Sequence, residues 1–142
     1  MANDSRPLLT ETSFHVRFAE TDQMGVVHHA AYVVYLEEGR SELSRRWGAP
    51  YSALENAGFS LALSDVQVHY VASAQYDDLI TVRAWVDALR SRSITFGYEV
   101  VNAATQQVLV TGSTRHICVN RQGEVRRIPE EWVAPFKAAG GW

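Results

Sequence analysis

One stretch of helical spacing interrupts a chain otherwise patterned for strands. Tyr32, Tyr35, Leu36, Gly39, Leu43 and Trp47 return on one helical face, while Glu37, Glu38, Arg40, Glu42, Arg45 and Arg46 take the rest of the surface. From Gly58 to Asn120 the apolar period is two. A single long amphipathic helix followed by several strands has few ways to bury its stripe. The helix must lie across one face of a sheet, and strands joined by short turns make that sheet antiparallel. The expected class is α+β with one central helix. Gly39 sharpens the expectation. It sits on the apolar stripe, where glycine costs about 1 kcal/mol of helix propensity, and close approach to a flat surface is the expected compensation.

The remaining elements follow from the same periods. Phe14, Val16 and Phe18 alternate with His15 and Arg17, predicting a strand over Ser13–Ala19. Gly48 and Pro50 stop the helix, and Pro50–Ala57 is expected to add one or two helical turns. Phe59, Leu61 and Leu63 occupy odd positions, whereas Val66, Val68 and Tyr70 occupy even ones. A strand cannot change faces without a bulge or break, which is expected near Ser64–Asp65. Three more strands are expected over Leu79–Leu89, Ser93–Val101 and Gln107–Asn120, then a short helix over Pro129–Ala139. Residues 1–10 are expected to be a flexible arm and 11–139 a single domain. Leu79, Trp85 and Leu89 make the second face of the sheet too apolar to be simply solvated, and dimerisation is expected to cover part of it.

Composition narrows the function classes. The 142 residues carry a net charge of −3, with 46% hydrophobic and 20% charged side chains. That is a soluble globular balance with no electrostatic reason to expect nucleic acid or a membrane surface as partner. No apolar run reaches the roughly 20 residues of a membrane span. The single cysteine, Cys118, excludes an intrachain disulfide. With an N-terminus lacking the basic-then-apolar order of a signal peptide, it points to a cytoplasmic setting.

The chemistry concentrates between Glu20 and Tyr32. Asp22 sits in a turn containing Gly25, and that turn feeds the long helix. Free N–H groups of a first helical turn can polarise an acyl oxygen and favour a developing oxyanion. A carboxylate beside them can attack the acyl carbon or activate water. The pairing suits acyl transfer, although an aspartate in such a turn also serves as an ordinary cap. His28 and His29 are adjacent, so in a helix they diverge by about 100° and do not grip a metal as an i,i+4 pair would. His116 and Cys118 share a strand face, but no second pair completes a metal site. No metal is expected.

The run Asp22-x-x-Gly25-Val26-Val27-x-His29-x-x-Tyr32, followed by Glu37 and Arg40, resembles the 4-hydroxybenzoyl-CoA thioesterase family of hot-dog-fold acyl-CoA thioesterases. Thr114–Val119 and Arg126–Pro129 resemble the last strand and closing segment of that family, so the likeness spans about residues 12–136. The resemblance implies an antiparallel sheet wrapped around one long helix, a homodimer or homotetramer, and active sites at the subunit interface. It implies Asp22 as the catalytic carboxylate and His29 as a site residue whose backbone N–H meets the thioester oxygen. Gly25, Val27, His28, Tyr32 and Glu37 fall in the oxyanion or substrate vicinity. Two positions depart from the common pattern: Glu20 stands where many members have a second Asp, and Ala31 where many have Asn.

Arg90, Arg92, Arg115, Arg126 and Arg127 are individually ordinary surface charges. As a group they are candidates for the 3′-phosphate and diphosphate of CoA, which guanidinium forks match well. The expected function is hydrolysis of a small aromatic or short to medium aliphatic acyl-CoA, with CoA entering as part of the substrate and no separate cofactor. The rival readings are a non-catalytic module binding acyl-CoA or acyl-carrier protein, and a hot-dog hydratase or dehydratase.

Overall fold

A computed structural model describes residues 5–142. The element order is β1 (Thr10–His15), a short 3-10 turn (Phe18–Glu20), α1 (Ala31–Arg46), α2 (Tyr51–Asn56), β2 (Phe59–Tyr70), β3 (Leu79–Leu89), β4 (Ser93–Asn102), β5 (Val108–Asn120) and α3 (Glu130–Gly140). The strands form one five-stranded sheet in the order β1-β3-β4-β5-β2, and every pairing is antiparallel. This is the hot-dog arrangement, with α1 as the helix around which the sheet wraps.

α1 buries Tyr32, Tyr35, Leu36, Gly39 and Leu43 against the sheet. Facing them are Ile80, Val82, Ala84 and Val86 of β3 and Phe96, Tyr98 and Val100 of β4, all buried. Each large side chain so buried is worth about 1.5–3 kcal/mol. Gly39 makes the expected close approach: a Cβ there would stand 2.6 Å from Val82 Cγ1 and 3.6 Å from Ala84 Cβ. The parity slip in β2 is a register shift between Leu63 and Asp65. A second shift, between Val86 and Ala88 in β3, left no comparable mark in the sequence because Leu89 is apolar on either face.

The front strand differs from expectation. It runs over Thr10–His15 rather than Ser13–Ala19, and the chain then turns, leaving Phe18 74% exposed. The alternation of Phe14, Val16 and Phe18 was a misleading cue, because Phe18 packs edge-on to exposed Tyr76 rather than into the core. Part of the arm expected over 1–10 packs on the sheet. Residues 1–4 lie outside the described residues. Beyond them Leu8 and Thr10 are buried, Pro7 O accepts from the Val86 N–H at 3.0 Å, and the Arg6 guanidinium stacks 4.0 Å from the Trp85 ring. Half-buried Trp85 in turn lies against Gly97, so part of the apolar outer face is covered from within the chain.

β2 and β1 are the edge strands. β2 leads back to β3 on the far side of β4 and β5, so the loop after Tyr70 must cross the end of the sheet. That crossing passes the N-terminus of α1 and builds the cleft described next.

Candidate active site

The turn holding Asp22 is closed by its own backbone. The Asp22 N–H donates to Val26 O at 2.9 Å, and the Gly25 N–H donates to Asp22 O at 3.0 Å. Gly25 has φ +79°, a left-handed geometry that glycine adopts without strain. Asp22 Oδ1 accepts the Met24 N–H at 2.8 Å. This aims the carboxylate and leaves its second oxygen for other partners. The Thr21–Val27 bridge closes the turn, and the Val26–Gln75 bridge ties it to the crossing loop.

The helix start has no side-chain cap at its N-cap residue, Ala30. His28 substitutes from two residues earlier. Its Nδ1 accepts the Ala30 N–H at 3.1 Å, and its carbonyl accepts the Ala31 N–H at 2.9 Å. The His29 N–H is left with no acceptor among the described residues. It is an available donor at the positive end of α1, the arrangement that stabilises an oxyanion. The His28 and His29 rings stack with centroids 4.2 Å apart.

Asp22, Val27, His29, Tyr32, Tyr70 and Ser73 line one open cleft of about 370 Å³. Tyr32 accepts the Ala74 N–H at 3.0 Å on its hydroxyl, and burial raises its pKa. The Tyr70 hydroxyl donates to His29 O at 2.8 Å, holding the peptide next to the free N–H. Tyr70, Val71 and Ser73 were not among the expected site residues. They come from the end of β2 and the crossing loop, some forty positions along the chain, and no local motif marks them.

Glu20 braces the turn from behind. Its carboxylate accepts the Arg17 N–H at 2.8 Å, the Arg17 Nε–H at 2.9 Å and the Tyr35 hydroxyl at 2.7 Å. Burial opposes its charge, but those bonds outweigh burial and hold its pKa below the usual carboxylate value. Burial, then the bond to Glu20, raises the Tyr35 pKa. The Glu20 carbonyl also accepts the His28 N–H at 2.8 Å. Glu20 therefore acts on site geometry.

The structure brings Asp22, Val27, His29 and Tyr32 together, with Gly25 shaping the turn and His28 capping the helix. It does not bring Glu37 to this cleft. Glu37 points outward beside Arg40, at 4.0 Å, and lines a separate hollow with Tyr51, Glu55 and Leu61. Arg40 is mostly buried and donates to the Tyr98 hydroxyl at 3.4 Å. Tyr98 and Thr114 hydroxyls lie 2.6 Å apart, and Thr114 meets His116 Nε2 at 2.9 Å. Burial, reinforced by the Arg40 charge, pushes the His116 pKa down to about 4.

The arginine group divides. Arg115 lies on the outer face 3.9 Å from Asp65, and Arg126 pairs with Glu124 at 3.1 Å. Arg92 is exposed in the β3–β4 hairpin. Arg90 and Arg127 line a cavity of about 490 Å³ at the opposite end of β2 from Asp22. Among the described residues no three His, Cys, Asp or Glu side chains converge as metal ligands. Cys118 is buried, with its thiol 3.7 Å from Arg127 O.

Comparison with known proteins places this geometry in context. The family described as the thioesterase-like superfamily matches residues 16–136. A putative acyl-CoA thioesterase, YneP, of Bacillus subtilis is 29% identical over 135 residues, covering 92% of this chain and 97% of that protein. The acyl-CoA thioester hydrolase YbgC of Escherichia coli O157:H7 is 30% identical over 123 residues, covering 86% and 91%. Among solved structures, the hypothetical protein TT1821 of Thermus thermophilus has a TM-score of 0.85 at 35% identity, covering 92% of this chain and 97% of its own. A DHNA-CoA thioesterase of Staphylococcus aureus has a TM-score of 0.87 at 27% identity, covering 92% and 89%.

Proposed function

The chain belongs to the thioesterase-like superfamily, and from that premise we propose that it is an acyl-CoA thioesterase with Asp22 as its catalytic carboxylate. The observation that carries this reading is the meeting, in one cleft, of the Asp22 carboxylate and the unbonded His29 N–H. Thioester hydrolysis needs both. Oxygen must be delivered to the carbonyl carbon, and the negative charge that develops on the carbonyl oxygen must be held. The His29 N–H and the end of α1 hold the charge. Asp22 delivers oxygen, either by attacking to form an anhydride that water then opens, or by taking a proton from an attacking water. The CoA thiolate departs and is protonated by solvent, and the acyl group leaves as a carboxylate.

The substrates proposed are small aromatic or short to medium aliphatic acyl-CoAs. Tyr32 and Tyr70, edge to face with centroids 5.7 Å apart, supply an aromatic wall suited to a planar acyl group. The likeness to a DHNA-CoA thioesterase favours the same choice. A cytoplasmic setting is proposed with that substrate.

A second copy is part of the proposal. β2 is an unpaired edge, and its sheet-inner side chains Leu63, Val66 and Tyr70 are 53%, 40% and 46% exposed in the single chain. An apolar edge strand of this length invites pairing. A symmetric dimer through β2, with or without a further pairing to a tetramer, removes both the edge and the exposed face.

The experiment is a panel of aromatic and aliphatic acyl-CoAs with released thiol as readout, run on the native chain and on Asp22→Asn. Asp22→Asn keeps size and most hydrogen bonding, so turnover should fall at least about a hundredfold while the fold is kept. Near-native turnover by this variant removes Asp22 from the chemistry.

A further inference from the structure

We propose that His28 is the positioning residue of the oxyanion site, and that turnover requires its Nδ1 to be unprotonated. This rests on the thioesterase reading and deepens it, by naming what fixes the oxyanion donor.

The donor belongs to the peptide that joins His28 to His29. In a planar trans peptide the N–H points away from the carbonyl of the same unit, so fixing one aims the other. The carbonyl of this unit, His28 O, accepts the Ala31 N–H at 2.9 Å. The next peptide is held at both ends. His29 O accepts the Tyr70 hydroxyl at 2.8 Å, and the Ala30 N–H donates to His28 Nδ1 at 3.1 Å. The His28 N–H is itself tied to Glu20 O at 2.8 Å. Residue 29 is suspended between these two peptides, and its free N–H keeps its aim only while both are fixed. The His28 side chain stands outside the lining of the Asp22 cleft. It acts on the thioester through the backbone and not by touching it.

No neighbour on the helix start supplies the same acceptor. Ala30 and Ala31 have no polar side-chain atom, and the first turn of α1 has no acidic residue. Ser, Thr, Asp or Asn ordinarily provides it. Here the acceptor is an imidazole, which accepts at one nitrogen only and only when neutral. With Nδ1 accepting, the ring proton sits on Nε2. A second proton turns Nδ1 into a donor facing the Ala30 N–H, donor against donor, and the bond is lost. Two titratable neighbours meet His28. The His29 ring stacks on it with centroids 4.2 Å apart. Glu20 meets it through the backbone carbonyl, while the Glu20 carboxylate is engaged by Arg17 and Tyr35.

Three variants separate positioning from plain helix capping. His28→Leu removes the acceptor. It should lower kcat at least about tenfold with KM within about twofold of native, because the bond to the oxyanion is made only in the transition state. His28→Asn offers a side-chain oxygen to the N–H two residues on and does not titrate, so it should keep kcat within about fivefold of native. His28→Leu/Ala30→Ser restores an ordinary N-cap but leaves the residue-30 N–H unheld. Its Tm should rise above that of His28→Leu while its kcat stays low. Recovery of both makes His28 a cap alone and overturns the positioning role. So does a His28→Leu enzyme with native kcat.

The acid side of the kcat profile reads the proton. Asp22 and His29 are common to the native chain and His28→Asn, so a difference between their profiles belongs to His28. His28→Asn should hold its turnover to lower pH than the native chain, and coincident profiles overturn the requirement for an unprotonated Nδ1. Imidazole nitrogen NMR of the native protein reads the same bond without turnover. At neutral pH His28 should show the Nε2–H tautomer, and a predominant Nδ1–H tautomer overturns the bond to Ala30. If Asp22→Asn is fully active while His28→Leu is slow, the reading of the carboxylate has failed and the positioning role has not.

Discussion

Replacing Gly39 by alanine sets two effects of known sign against each other. Alanine gains about 1 kcal/mol over glycine in a helix interior. In this position the new methyl carbon would stand 2.6 Å from Val82 Cγ1, roughly an ångström inside normal contact. Val82 is a fully buried β-branched residue with one favoured rotamer, and it cannot swing away as a long flexible side chain would. Overpacking of this kind costs about 1–3 kcal/mol. The helix must therefore back off from β3, and the net expected change is a loss of about 1 kcal/mol. For a domain of this size that lowers Tm by about 3–6 °C. Thermal melts followed by circular dichroism at fixed protein concentration measure it. The diagnostic comparison is Gly39→Ala/Val82→Ala. Val82→Ala alone leaves a cavity and destabilises, but the two changes together should cost less than their sum, because the added methyl fills the space the valine vacates. A Gly39→Ala variant as stable as the native chain, or a double variant that is strictly additive, refutes the close-contact account.

Other outcomes follow from the site and core. Tyr70→Phe removes the hydroxyl that holds His29 O and should lower kcat/KM about threefold to tenfold, the worth of one ordinary hydrogen bond; an unchanged value would show that His29 needs no such brace. Because the His116 pKa is pushed down to about 4 from its ordinary 6.5, the unfolded chain binds the extra proton first, so stability should fall as pH drops from about 6.5 toward 4. His116→Gln should flatten denaturant midpoints across that window, and an undiminished pH slope in this variant assigns the effect to other groups. Val66→Asp places a charge on the exposed inner face of β2 and should shift the solution mass from dimer toward monomer with loss of turnover; a fully active monomer contradicts the β2 interface.

Much of the fold was legible because it depends on local periodicity. α1 spans Ala31–Arg46, matching the stripe from Tyr32 to Trp47, and the parity slip between Leu63 and Val66 marked the bulge in β2. Where apolar residues carried no contrast, as in the Val86–Ala88 shift, the sequence was silent. At the front strand it misled, because Phe18 keeps the alternation while lying outside the sheet. Leu8 and Pro7 were read as an arm because their partner, Val86 with its neighbour Trp85, lies nearly eighty positions away.

The candidate site divides along the same line. Asp22, Gly25, His29 and Tyr32 could be found in the sequence because a turn and a helix start are contiguous, and their geometry is set by bonds between near neighbours. Tyr70 and Ser73 enter only when the loop after β2 crosses the end of the sheet, a consequence of strand order that no local pattern encodes. Five arginines were likewise visible by type alone. Tertiary structure gave Arg115 and Arg126 carboxylate partners, and brought Arg90 and Arg127 to one cavity with no ion pair among the described residues. Chain-local chemistry is determined by residues that cannot move apart. Which distant side chains share a cleft, and which charges remain unbalanced, is decided by how the strands pair.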